Sequence, residues 1–368
     1  MKKTLIALAA LAVVSAASAQ TSSVTLYGLI DESISSQKDS SSLPAGVGPV
    51  GDSTKNSVKP GILNGTRIGF KGTEDLGAGL KANFVIEFGL DADEASTLTT
   101  NRQSFVGLSG DFGAVTIGTQ YTPYYNVLGA LDQYGVITAP GLVAAAHVLG
   151  GPRRNNAVQY VSPSISGFQG TVQVANGTEQ STLSVTPAGK SFGASLVYAA
   201  GPLVAGVIYD DVTAPGATLV KYSTVTGDAL GANGLALFGD ARSSETSVWA
   251  VGGLYDFTVA KASLAYTSLT DKHIAGGNDR TSKGYNVSVS VPFGAVTAIG
   301  NLGRADVVEN GGANALDAVL TGYQLGANYS LSKRTTAYAL YGSDTLTVNG
   351  ATGEQKRTQT SVGIRHTF

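Results

Sequence analysis

The 368-residue sequence has no cysteine. That excludes disulfide staples and zinc centres built on thiolates. Its three histidines, His147, His273 and His366, are too scattered along the chain to suggest a metal site. Charge is scarce: acids and bases together make up 14% of residues, the formal net charge is −2, and no basic run exceeds two residues. A nucleic-acid partner, which calls for a basic stripe, is therefore not expected. No G-x-S-x-G element is present, and no nucleophile–base or paired-carboxylate arrangement suggests catalysis. Past the N-terminus the longest apolar run is LVAAAHVL (142–149), far below the roughly 20 residues a membrane helix needs.

What is present begins with an export segment. Lys2 and Lys3 precede the apolar stretch Leu5–Val14, and Ala17-Ser18-Ala19 fits a small-residue cleavage site. Cleavage before Gln20 would leave 349 residues and, with both lysines lost, take the formal charge from −2 to −4. Beyond this segment the sequence holds 48 glycines and 16 tyrosines against one tryptophan and one methionine. Much glycine without a collagen repeat points to many tight turns. The dominant pattern has a period of two, which belongs to strands. In LKANFVIEFGL, Leu80, Ala82, Phe84, Ile86 and Phe88 are apolar, and Lys81, Asn83 and Glu87 fall on the other face. TRIGFKG sets Ile68 and Phe70 against Arg67 and Lys71, and KGYNVSVSV sets Tyr285, Val287 and Val289 against Asn286, Ser288 and Ser290.

Short and long connections alternate between these strands. Seven are tight (74–79, 110–113, 162–168, 199–202, 255–258, 291–295 and 330–334), and those at 37–58, 122–152, 177–190, 213–245 and 305–320 are long and mostly polar. The alternation predicts an all-β fold, a transmembrane antiparallel β-barrel of about sixteen strands with short periplasmic turns and long outer loops. Between 203 and 257 the pattern leaves the exact count open. Alternation continues through SVGIRHTF (361–368) to Phe368, so the last strand is expected to be complete and to close the barrel on the first. A barrel of this size encloses water rather than a packed core.

The stretches SSVTLYGLID (22–31), TRIGFKGTEDLGAGLKANFVIEFG (66–89), RQSFVGLSGDFGAVTIGTQYTP (102–123), RRNNAVQYVSPSISGF (153–168) and VGIRHTF (362–368) resemble, in order, the trimeric general-diffusion porins of Gram-negative outer membranes, β-proteobacterial branch. The resemblance implies a third outer loop folded into the barrel, here 121–152, with an acid facing a cluster of wall arginines across the eyelet. Carried over residue by residue, the basic wall is Arg67, Arg102 and Arg153, with Arg154 as the fallback, and the loop acid is Asp132. Parity places Arg67 inward, and places Arg102 inward if Phe105 faces lipid. His366 and Phe368 resemble the terminal signal read by the outer-membrane assembly machinery. The domain division is then 1–19 signal peptide and 20–368 porin barrel.

Two departures temper the expected field. Thr119 stands where relatives often carry arginine, and no second loop acid follows Asp132. The expectation is passive diffusion of small hydrophilic solutes and ions with weak anion preference, no cofactor, a homotrimer, and contact with outer-membrane lipid and lipopolysaccharide. The acidic run 91–94 reads as a solvated loop tip whose charge is screened within about 10 Å. A substrate-specific channel for sugars or organic acids is the alternative, with Tyr121, Tyr124, Tyr125 and Tyr134 either a stacking track or packing for the loop.

Overall fold

Alternating residues that cannot share one helix face sort cleanly onto the two faces of a strand, and the described residues form strands almost throughout. The computed structural model describes residues 22–43, 52–93, 101–131, 152–177, 190–214, 244–273, 279–310 and 317–368. The expected signal segment, Asp132, Tyr134 and His147 lie outside the described residues. In chain order the strands are β1 (Ser22–Ser41), β2 (Ser53–Pro60), β3 (Arg67–Gly77), β4 (Leu80–Gly89), β5 (Asn101–Gly110), β6 (Gly113–Tyr121), β7 (Arg153–Val161), β8 (Phe168–Asn176) and β9 (Lys190–Ala200). The series continues with β10 (Leu203–Ala214), β11 (Ser244–Asp256), β12 (Lys261–His273), β13 (Asp279–Phe293), β14 (Val296–Asn310), β15 (Ala318–Ser330), β16 (Thr335–Val348) and β17 (Glu354–Thr367). Among the described residues a helix, α1 (Pro123–Leu131), lies between β6 and β7.

Neighbours pair antiparallel all the way round, and β1 pairs with β17 from Leu29↔Thr367 to Ser41↔Gln355. The seventeen segments make sixteen staves. β1 carries β2 along Glu32–Asp39 and β3 along Ser22–Leu29, so β2 and β3 are two halves of one interrupted stave. All seven tight connections join the strand pairs the sequence pattern indicates. The described residues of the 203–257 stretch form β10 and β11, paired from Leu203↔Tyr255 to Ala214↔Ser244. At the closing seam Gly28 and Phe368 exchange both backbone hydrogen bonds (3.2 and 3.1 Å). The Phe368 ring lies on Gly28, where a Cβ would stand 2.5 Å from a ring carbon.

The two faces differ in chemistry as a barrel in lipid requires. Outward residues are bare and apolar: Ile34, Tyr285, Val287, Leu264 and Leu302 are all exposed, Ile34 at 74%. Inward residues are polar and covered, as with Ser35, Asn286, Ser288, Ser290 and Asn301. The seam is stitched by the hydrogen bond between the Ser35 and Ser361 hydroxyls at 2.8 Å.

Among the described residues two features bring backbone inside this wall. The first is α1. Thr122 caps it, its Oγ1 accepting from the Tyr125 N–H at 3.1 Å, and Pro123 occupies the first turn, where no N–H is needed. Tyr124, Val127, Leu128 and Leu131 form one apolar face, buried against the inner surface of β8–β12. Each such buried aliphatic contributes about 1.5–3 kcal/mol. Glycines make room for the helix: a Cβ on Gly206 would lie 2.7 Å from Val127 and one on Gly252 2.6 Å from Leu131. The second feature is the break between β2 and β3. Gly61, in the left-handed region at φ 72°, turns the chain inward. Ile62 and Leu63 then bury against Ile299, Tyr338 and Leu340 on β14 and β16.

Candidate pore constriction

β3, β4, β5 and the ends of β6 and β7 bring three arginines together on the inner wall, two of them on one carboxylate and the third on a tyrosine ring. Arg102 Nε donates to Glu87 Oε1 at 2.7 Å, and Arg67 Nη1 stands 3.9 Å from the same oxygen. The second oxygen, Glu87 Oε2, accepts from the Tyr27 hydroxyl at 3.1 Å. Arg102 Nη2 also donates to the Tyr121 hydroxyl at 2.7 Å. The Arg153 guanidinium lies over the Tyr121 ring, 5.4 Å from its centroid. Tyr121 in turn stacks on Tyr125, in the first turn of α1 (centroids 4.4 Å apart, planes 6° apart). Stacking and cation–π contact suit a planar guanidinium, which is more weakly hydrated than an ammonium. The helix thus braces the arginine cluster through Tyr125 as well as covering the opposite wall.

Arg102 points inward, but not by simple parity. The register jumps between Glu87↔Gln103 and Phe88↔Asn101, a bulge that leaves Arg102 as the extra residue. Phe105 pairs with Val85 on the inner parity, while Val106 and Leu108 are exposed on the outer face. The premise that Phe105 faces lipid is therefore corrected: the bulge, not uniform alternation, turns Arg102 inward. A second irregularity, between Gly118↔Ala157 and Gln120↔Arg154, separates Arg153 from Arg154 in role. Arg154 Nη2 donates to Asp210 Oδ1 at 2.9 Å on β10, with both side chains almost fully covered, so its charge is matched away from the cluster. Thr119, at the same irregularity, donates to Asn155 Oδ1 at 3.2 Å. Asp132 follows α1 directly in sequence and lies outside the described residues. His366 is on the outer face, its Nδ1 hydrogen-bonded with Thr335 Oγ1 at 2.9 Å.

The sequence profile of the Gram-negative porin family matches residues 6–349. The chain belongs to that family. Among its relatives, outer membrane porin protein 32 of Delftia acidovorans is 32% identical and an outer membrane porin protein of Bordetella pertussis 30%, each over the full length of both chains. An anion-selective porin from Comamonas acidovorans shares the fold at a TM-score of 0.70 and 26% identity, over 95% of this chain and 100% of that one. The porin therefore spans the Gram-negative outer membrane as a diffusion channel, and relatives of this kind are channels rather than enzymes.

Within the porin's inner wall, Glu87 and Tyr27 are the residues that sequence reasoning passed over. Glu87 carried a usable signal: it is the acid on the polar parity of β4, and its register places it between Gly69, two residues from Arg67, and Gln103, next to Arg102. Tyr124, one of the candidate stacking tyrosines, is fully buried on the packed face of α1 and anchors the helix rather than lining a track.

Proposed function

We propose that permeation through the porin is controlled at Arg67, Arg102 and Arg153, and that the channel favours small anions weakly. The observation that carries this reading is the gathering of three guanidinium groups on one stretch of inner wall, Arg67 and Arg102 on the carboxylate of Glu87 and Arg153 on the ring of Tyr121, whose hydroxyl Arg102 also meets. A surplus of fixed positive charge where the lumen narrows attracts anions and repels cations, while the polar wall replaces part of a solute's hydration. Glu87 tempers the surplus, and Asp132 stands in this reading as the acid on the loop side. Arg154 belongs to the wall's framework, since Asp210 neutralises it. Tyr121 and Tyr125 serve as supports for guanidiniums, which favours a general pore over a sugar track.

In the same reading residues 1–19 are a cleaved export signal and 20–368 the barrel, His366 and Phe368 form the signal for the assembly machinery, and lipid and lipopolysaccharide contact the outer face. A homotrimer fits the fold: an outer membrane protein of Vibrio cholerae that shares it is described as a trimer form. The test is the reversal potential in a planar bilayer under a potassium chloride gradient, with Arg67→Gln, Arg102→Gln and Arg153→Gln compared in turn. Each substitution is expected to move the potential towards cations. If none of the three moves it, the assignment is wrong.

A further inference from the structure

The break between β2 and β3 is built as carefully as α1, and nothing in the reading above uses it. Asp31, on the inner face of β1 and 0% exposed, is its anchor. Its Oδ2 accepts from the backbone N–H groups of Leu63 and Asn64, both at 2.7 Å, and its Oδ1 from the Tyr338 hydroxyl at 2.6 Å. The Asp31 backbone holds the two ends of the break as well. Its carbonyl accepts from Gly61 N–H at 2.8 Å and from the Thr66 hydroxyl, and its N–H donates to Thr66 Oγ1 at 3.1 Å. An excursion with both ends tied, and with Ile62 and Leu63 reaching β14 across the inner face of the intervening staves, is not a loosely frayed strand.

The tip of this excursion touches two cations. Gly65 leaves no side chain between its backbone and Arg102: a Cβ there would lie 2.9 Å from Arg102 Nη1. On the other side Asn64 Oδ1 accepts a hydrogen bond from Arg365 Nη1 on β17. Asn64 and Gly65 are half-buried, whereas Ile62 and Leu63 behind them are covered. α1 lines the wall from β8 to β12, and the excursion lines it at β14, β16 and β1. The inner face left between them is the one that carries the three arginines.

We propose that residues 61–66 form a second constriction element, a ledge facing α1 across the lumen, and that Asp31 is the positioning residue that fixes the ledge against Arg102 and Arg365. The proposal rests on the reading of the arginine cluster as the eyelet. It adds a second inward element and a fourth lumen-facing arginine, Arg365, to the narrowest part of the path.

The absence of cysteine makes the test direct. Asn64→Cys supplies a unique thiol, to be treated in the bilayer with the anionic sulfonatoethyl and the cationic trimethylammonium-ethyl methanethiosulfonates. Both adducts are expected to lower single-channel conductance, by roughly a third, because they occupy a constriction. The anionic adduct should lower the anion-to-cation permeability ratio about twofold relative to the cationic one. Channels that react and keep the parent conductance and ratio overturn the ledge. Loss of current in the unmodified parent would instead overturn the pore reading itself. The positioning role is read from Asp31→Asn. Removing an acid acts through space to raise the anion-to-cation ratio, whereas loosening the ledge releases Arg102 and lowers it. A fall supports the proposal; a rise or no change overturns Asp31 as a positioning residue. If Asp31→Asn fails to fold, Gly65→Ala, which presses on Arg102 without touching Asp31, must lower the ratio, and an unchanged ratio overturns the proposal.

Discussion

Replacing Glu87 with glutamine removes the one carboxylate that Arg67 and Arg102 share, and leaves an amide oxygen able to accept from Arg102 Nε in its place. Among the described residues the fixed charge of the cluster, three guanidiniums and one carboxylate, loses its negative member. For a permeating ion in contact with the guanidiniums, about 6 Å from the Glu87 carboxylate, Coulomb's law in water gives about 0.7 kcal/mol for that unit of charge. Screening at about 0.1 M salt reduces this to about 0.4 kcal/mol. Anions gain that amount and cations lose it, so the difference is about 0.8 kcal/mol, or about a fourfold rise in the anion-to-cation permeability ratio. The measurement is the reversal potential of Glu87→Gln and parent channels under the same salt gradient, repeated at high salt, where the rise should shrink. A ratio that stays put or moves towards cations would refute the reasoning, because the carboxylate would then lie off the ion path.

Two further substitutions probe the scaffold. Gly206→Val places carbon where Val127 of α1 already sits, 2.7 Å from the new Cβ, and should push the helix into the lumen. Single-channel conductance should fall while the barrel loses only about 1–3 kcal/mol of stability, read from its resistance to heat unfolding in detergent. Leu264→Arg puts a cation on the bare outer face of β12, where Leu264 is 56% exposed. Unfolding in lipid should cost about 2–4 kcal/mol less than for the parent if that position meets the bilayer midplane. An unchanged unfolding midpoint would mean that this face does not meet hydrocarbon.

The sequence by itself determined the class of fold, its approximate strand number and the inward side of most staves. These rest on local rules. A period of two sorts side chains onto faces wherever the strand is regular, as in β13, where Asn286, Ser288 and Ser290 turn inward and Tyr285 and Val287 outward. Tight turns are equally local, so all seven were legible. Only the tertiary structure decided the features that interrupt the period. The bulge at Arg102, the inward break at 61–66 and the irregularity just after Arg154 depend on how neighbouring staves register, and a single strand's pattern does not contain that. Partners far apart in sequence were equally hidden. Arg154 meets Asp210 and Asp31 meets Tyr338 across 56 and 307 residues, contacts that exist only once the wall has closed on itself. Closure is a property of the whole sheet, and the constriction is assembled at the places where that sheet departs from its own repeat.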